Sequence, residues 1–183
     1  MLRKFLRSFF YTTINQYNRL ILRVHGVQYG RNVVINGRIY VQNAGSIEIG
    51  DNVTINSGHR FSPIGGQCIT RLITYPGAVI KIGDGAGISN STIVSQLLVQ
   101  IGQSVMIGGS CNIWDTDFHS KDADIRGTTE DRGECAPILI GERAFIGAHS
   151  VLLKGTCIGV RAIVGAASVG SLKVANDQVF TRR

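Results

Sequence analysis

From Glu48 onward the apolar positions of the chain recur with a period of six: an aliphatic residue, usually Gly, two variable residues, a small or β-branched residue, and one further variable residue. The clearest stretch is Ile140-Gly-Glu-Arg-Ala-Phe, Ile146-Gly-Ala-His-Ser-Val, Leu152-Leu-Lys-Gly-Thr-Cys, Ile158-Gly-Val-Arg-Ala-Ile and Val164-Gly-Ala-Ala-Ser-Val. Earlier units begin at Ile49, Ile82, Ile101 and Ile107. Six is a multiple of the strand period of two and not of 3.6, so a strand gathers these aliphatics on one face where a helix would smear them around its surface. Glycine after each inward aliphatic is expected to supply the backbone freedom that turns a corner. Short strands, tight corners and a fixed repeat predict a solenoid in which each repeat covers the apolar face of its neighbour. An antiparallel meander would not hold a fixed period through successive units.

Two excursions break the register. One, between Ile55 and Ile82, contains Pro63, Gly65, Gly66 and Tyr75-Pro76-Gly77; the other runs from Trp114 to Pro137 and is polar. Long irregular stretches on a rigid scaffold are where binding residues collect, and the second holds the only Trp and the densest group of titratable side chains. Residues 2 to 24 differ in kind. Leu2, Phe5, Leu6, Phe9, Phe10, Thr13, Tyr17, Leu20, Ile21 and Val24 recur at helical spacing beside Arg3, Lys4 and Arg7, which predicts one or two amphipathic helices. The organisation is therefore an N-terminal helical segment, 1–26, and a mainly β domain, 27–183, with an inserted loop at 114–137.

At 183 residues the chain suits one domain with appendages. Its formal net charge of +7 resides in the N-terminal segment, where Arg3, Lys4, Arg7, Arg19, Arg23, Arg31 and Arg38 precede the first acidic residue, Glu48. The remaining body is neutral, which gives a nucleic-acid groove little support; the basic end suits either an anionic membrane surface or a solvated cap on the solenoid. Cys68, Cys111, Cys135 and Cys157 form no CxxC pair and no metal-ligand spacing, so reduced thiols in a cytoplasmic protein are expected. Cys111 and Cys157 are assigned to inward positions of the repeat, as small core residues. No apolar run approaches the roughly 20 residues that span a bilayer.

The repeated Ile-Gly-x-x-Ala/Ser/Val units resemble the hexapeptide-repeat acyltransferases, and Ile113-Trp114-Asp115-Thr116-Asp117-Phe118-His119 resembles the catalytic loop of the maltose and galactoside O-acetyltransferase branch and of surface-polysaccharide O-acetyltransferases. The likeness covers roughly residues 27 to 175. It implies a left-handed parallel β-helix with three hexapeptides per coil, an exception to the right-handed crossover rule. It also implies acetyl-CoA (coenzyme A) as co-substrate, with no metal required, and a homotrimer with the cofactor lying between neighbouring prisms. The family's usual Gly-Asn-Pro-Ala-Lys ending is absent; this chain closes on Gln178-Val179-Phe180-Thr181-Arg182-Arg183, so Arg182 and Arg183 are candidates to replace its contacts.

Acetyl transfer from a thioester to a hydroxyl needs a base, and histidine suits that task at neutral pH. His119 is the candidate, at the position matching the family's base. Its second ring nitrogen needs an orienting partner, for which Asp117, alternating with His119 along an extended segment, and Asp115 are the candidates; the alternative is that both carboxylates solvate the loop. Trp114 is expected to stack on a sugar, to wall the pantetheine path, or to anchor the loop. Asn90 matches the family's acceptor-contacting Asn, though Asn at a corner is also ordinary turn chemistry. Backbone groups of Gly147, Ala148, Gly165 and Ala166 are expected along the pantetheine, with Lys154 and Lys173 on phosphates. His149 stands where the family has a small residue.

The expected activity is O-acetylation of a saccharide hydroxyl in surface polysaccharide biosynthesis, with N-acetylation of an amino sugar or nucleotide-linked amino sugar as runner-up. A metalloenzyme of the gamma-carbonic-anhydrase type would need three histidines on one ion, and His25, His59, His119 and His149 lack that type's spacing. A noncatalytic scaffold would have no use for His119 beside two aspartates. The expected location is the cytoplasm, with peripheral contact at the inner face of the cytoplasmic membrane as a further expectation from the N-terminal segment.

Overall fold

The computed structural model describes residues 2–66 and 68–181, with side chains from residue 12 onward. Three all-parallel sheets form the walls of a triangular prism, with seven, seven and six strands among the described residues. The first sheet contains Gln28–Tyr29, Ser46–Ile49, Val79–Ile82, Leu98–Ile101, Ile138–Ile140, Cys157–Ile158 and Lys173–Val174. The second runs from Val34–Asn36 to Val179–Phe180 and the third from Tyr40–Asn43 to Val169–Gly170, and the chain visits the three walls in rotation. This is the mainly β solenoid that the six-residue period predicts, preceded by one helix, and it has the left-handed parallel β-helix architecture that the family resemblance implies.

The walls exist because side chains alternate in and out. In the first sheet Ile47, Ile80, Val99 and Ile138 are in register and fully buried. The second sheet stacks Ile35, Ile55, Ile88, Ile107, Ile146 and Val164 in the same way. Each aliphatic covers its counterpart one coil along, so the core is a set of continuous β-branched columns, which suit a pleated surface.

Two expectations about the repeat are corrected. Glycine after the inward aliphatic is not what turns the corner: Gly108, Gly141 and Gly147 have ordinary φ, and the left-handed residue comes two places later, at Ser110 (φ 58), Arg143 (φ 57) and His149 (φ 62). A Cβ on Gly147 would lie 2.4 Å from the Ala166 amide nitrogen, and one on Gly108 2.6 Å from that of Ala148. Coils spaced about one strand apart, ~4.8 Å, leave no room there for a side chain. The left-handed place is the third residue of a tight turn, where φ must be positive, and it is filled by Asn, Ser, Arg and His as well as Gly. The second correction concerns Cys157. Cys111 is buried but Cys157 is exposed, because it immediately precedes inward Ile158 and so faces out, while Thr156 takes the inward place.

Helix α1 (Leu2–Val24) closes the prism's first end. It stops in a Schellman motif: Val27 N–H donates to Leu22 C=O (2.8 Å) and Gly26 N–H to Arg23 C=O (3.0 Å), with Gly26 at φ 63. The motif turns the chain so that Leu22 and Val27 both enter the core. The first strand of the second sheet has an unpaired edge, and two asparagines of α1 satisfy it. Asn18 Nδ2 donates to Ile35 C=O (3.1 Å) and Gly37 C=O (2.7 Å), while Asn15 Oδ1 accepts from Ile35 N–H (2.9 Å). Residues 15–22 of α1 are thus a cap that blunts a sheet edge. The side chains of Leu2, Arg3, Lys4, Phe5, Leu6, Arg7, Phe9 and Phe10 lie outside the described residues.

Candidate active site

The insertion at 114–137 leaves the prism at the corner between the third and first sheets, and a buried carboxylate roots it. Asp115 accepts from Ser95 Oγ (2.7 Å), Gln96 N–H (2.7 Å) and Leu97 N–H (2.9 Å) and is fully buried. The two strands of the loop then pair: Asp117 N–H donates to Glu134 C=O (3.0 Å) and Ala136 N–H to Asp115 C=O (3.0 Å), around an antiparallel bridge of Thr116 with Cys135.

His119 sits just beyond this root, aimed by a sharp turn. Its N–H donates to Asp117 C=O (2.8 Å) across Phe118, which has φ 64. A γ-turn with positive φ is rare and strained. It persists here because Phe118 N–H also bonds Thr116 Oγ1 (3.0 Å), and because Gly133 admits the close backbone approach: a Cβ there would lie 2.5 Å from Phe118 N.

Nδ1 of His119 lies 2.7 Å from Asp131 Oδ2. The same carboxylate accepts from Ser120 N–H (2.5 Å) and Gly127 N–H (2.9 Å), and these backbone bonds, with the histidine, pull its pKa down to about 2. An ionised carboxylate only accepts, so Nδ1 carries the proton. In the neutral imidazole Nε2 is then the nitrogen with the free lone pair; the His119 side chain is 69% exposed, while that of Asp131 is 9% exposed. The ring borders a cleft of ≈ 390 Å³ lined by Tyr75, Gln96, Phe118, Asp131, Arg132 and Gly133. The arrangement can withdraw a proton from a hydroxyl entering that cleft.

The sequence expectation placed Asp117 or Asp115 on the second ring nitrogen; the structure places Asp131 there, twelve residues on. Asp115 is spent on the loop's root. Asp117 meets Lys154 Nζ at 2.8 Å and Lys121 Nζ at 3.4 Å, and Glu134 binds the same two ammonium groups. Lys154 is therefore occupied between two carboxylates, which raise its pKa, and is not free for a phosphate in this arrangement. Glu134 is lowered to about 2 by Lys121 and Lys154. Neither Asp131 nor Glu134 offers a sequence signal as strong as proximity to His119; the nearest clue is the pair Gly127 and Gly133 that brackets Asp131 just before the returning segment.

Trp114 packs its ring edge-on against Phe118, centroids 5.8 Å apart, as a loop anchor. Asn90 is buried with both side-chain atoms engaged: Oδ1 accepts from Gly58 N–H (2.6 Å) and Nδ2 donates to Ile64 C=O (3.1 Å). It braces the first excursion. Gly147, Ala148, Gly165 and Ala166 lie on the edge between the second and third sheets, away from the edge that carries His119, and a single chain does not bring the two together. Ala148 borders an apolar recess of ≈ 330 Å³ with Phe61, Pro63, Ile64, Met106 and Phe145. His149 is exposed on that same edge. Lys173 is exposed, its Nζ donating to Gly155 C=O (2.5 Å). Arg182 and Arg183 lie outside the described residues. Among the described residues no group of three His, Cys, Asp or Glu is placed to hold a metal ion, and no helix is long and apolar enough to cross a membrane.

No family model matches the chain. It is 27% identical over 143 residues, 74% of its own length and 67% of the other's, to a putative lipopolysaccharide biosynthesis O-acetyl transferase, WbbJ, of Escherichia coli strain K12. A hexapeptide-repeat acetyltransferase of Vibrio cholerae complexed with acetyl-coenzyme A superposes with a TM-score of 0.52 at 24% identity, covering 92% of this chain and 76% of that one. The chain has the hexapeptide-repeat acyltransferase fold. A maltose O-acetyltransferase of Clostridium difficile 630 has a TM-score of 0.53 at 16% identity, covering 93% of this chain and 82% of that one. An AntD N-acyltransferase of Bacillus cereus, in complex with dTDP and coenzyme A, has a TM-score of 0.58 at 18% identity, covering 82% of this chain and 76% of that one. These similar proteins are acyltransferases, and two of the structures hold coenzyme A or its acetyl thioester.

The loop's carboxylates make its order depend on acid. Asp131 and Glu134, both lowered in the folded protein to about 2, contribute stability that is full above their unfolded values near 4 and lost as pH falls through about 2. Because Trp114, the only tryptophan, packs on Phe118 in this loop, its fluorescence is expected to change between about pH 4 and 2 while far-ultraviolet dichroism still reports an intact prism. Coincident loss of both signals would show that the loop has no separate acid transition.

Proposed function

We propose that the protein is an acetyl-CoA-dependent O-acetyltransferase that modifies a saccharide hydroxyl in surface polysaccharide biosynthesis. The observation that carries this reading is the His119–Asp131 pair, whose imidazole lines a cleft that also offers Tyr75, Gln96 and Arg132. Nε2 takes the hydroxyl proton as the oxygen attacks the thioester carbonyl. Collapse of the tetrahedral adduct breaks the carbon–sulfur bond, and the imidazolium returns its proton to the departing thiolate, leaving an acetyl ester and free coenzyme A. Asp131 holds the tautomer and steadies the transient charge. The similarity to a lipopolysaccharide O-acetyl transferase supports the acceptor class. Similarity to an N-acyltransferase bound to dTDP supports a second reading, an amine on a nucleotide-linked sugar.

The active unit in this proposal is a homotrimer. His119 and the small-residue edge at Gly147, Ala148, Gly165 and Ala166 are separated within one chain, and the site becomes complete when the edge of one copy lies beside the loop of the next. The second sheet offers the contact: Met106, Phe145, Ile163 and Val179 are in register on its outer face and are 54, 46, 39 and 60% exposed, an apolar stripe of the kind that marks an interface. Attachment to the inner face of the cytoplasmic membrane is part of the same reading.

The test is turnover of acetyl-coenzyme A with a panel of free, nucleotide-linked and lipid-linked saccharides, the product located by mass spectrometry and NMR. An ester on a sugar oxygen is the expected result, an amide would favour the second reading, and acceptor-independent behaviour throughout would reject both. Light scattering is expected to find a trimer that Phe145→Asp with Ile163→Asp dissociates and inactivates. A fully active monomer would contradict the shared site.

A further inference from the structure

Helix α1 uses one stripe to cap the prism and leaves a second stripe bare. Asn18 and Leu22 are buried, whereas Tyr17, Leu20 and Val24 are 46, 59 and 71% exposed. Spacings of three and four place these three on one helical face, with Arg19 and Arg23 exposed beside them. The end of the prism continues the surface. The Arg38 guanidinium lies 5.8 Å over the Tyr17 ring, and the Arg71 guanidinium 5.7 Å over that of Tyr40, itself 43% exposed. A cap accounts for the first stripe and not for the second.

The chemistry of the bare surface selects its partner. The charged residues on it, Arg19, Arg23, Arg38 and Arg71, are all basic, and no acidic residue precedes Glu48. Tyrosine and arginine each carry a polar tip on an apolar body, which suits a layer that is wet above and apolar below. A helix with an apolar stripe flanked by arginine lies in the plane of a bilayer surface, its basic groups against anionic headgroups. A duplex nucleic acid would use the arginines and leave Leu20 and Val24 without a role.

We propose that this face, Tyr17, Leu20 and Val24 with Arg19, Arg23 and Tyr40, seats the enzyme on an anionic membrane surface. It deepens the peripheral attachment proposed above, and it is separable from the transferase chemistry because none of these residues belongs to the His119 cleft. The cap and the membrane contact coexist on opposite faces of one helix.

The experiment uses the full chain and sedimentation with vesicles of phosphatidylcholine alone or of phosphatidylcholine and phosphatidylglycerol in equal parts. Binding to the anionic vesicles, weakened by salt, is expected. Arg19→Glu with Arg23→Glu is expected to weaken it at least about tenfold, since each basic residue near such a surface is worth about fivefold. Leu20→Glu with Val24→Glu is expected to weaken it comparably, and neither pair should alter hydrolysis or transfer of acetyl-coenzyme A in lipid-free solution. Equal partitioning of intact and variant proteins, or capture by duplex DNA with no binding to anionic vesicles, would overturn the proposal. Loss of turnover in every protein with vesicle binding intact would instead count against the transferase reading alone.

Discussion

Turnover of the His119→Ala variant is expected to fall at least about a hundredfold, the scale on which a general base acts, while its affinity for coenzyme A is unchanged. The informative companion is Asp131→Asn. An amide of the same shape can donate to Nδ1, which moves the imidazole proton to Nε2 and removes the lone pair that the proposed reaction requires. A drop in kcat of about a hundredfold or more with KM little changed is therefore expected. Asp117→Asn should be milder and should act through the loop's order, because that carboxylate faces Lys154 rather than the histidine. Near-normal turnover in a folded His119→Ala protein would sink the assignment. Equal effects of Asp117→Asn and Asp131→Asn would show that the 2.7 Å contact to Nδ1 has no special part in positioning the base.

The walls of the prism were legible in the sequence because a period of six leaves a strand no choice of face. Ile140, Ile146, Ile158 and Val164 all proved buried at the places the pattern assigns. The resemblance of the segment ending in His119 to a known loop located the candidate base. What the pattern could not convey was anything that depends on the loop's return path. Asp131 reaches His119 only because Phe118 takes positive φ and Gly133 lets the two strands of the loop touch; neither event has a periodic signature. Proximity in sequence pointed to Asp115 and Asp117, but both serve the loop's root, one through three hydrogen bonds and the other through Lys154. The cap was open for a related reason. Helical spacing shows that α1 is apolar on more than one side, and only the docking of Asn15, Asn18 and Leu22 reveals which side the prism takes.

The glycines carry the lesson furthest, and they yield a stability contrast. Gly147 and Gly155 sit a few residues apart, and a rule based on backbone freedom ranks Gly155 as the indispensable one, since its φ is +76 and that of Gly147 is ordinary. Space reverses the order. An alanine at 155 would place its Cβ 3.7 Å from the Ala136 Cβ, an ordinary contact, and its cost is the left-handed conformation alone, about 1–2 kcal/mol. An alanine at 147 would drive its Cβ to 2.4 Å from the Ala166 nitrogen and 2.7 Å from the Ala166 Cα. Those atoms belong to the next coil's backbone, held by the Gly147 N–H bond to Val164 C=O (2.7 Å), so they cannot swing aside as a side chain would. Overpacking against a wall of that kind is expected to cost about 3 kcal/mol or more. Thermal denaturation should therefore show a larger fall for Gly147→Ala than for Gly155→Ala. The reverse order would mean that coil spacing relaxes easily and that glycine is there for its dihedral angles after all.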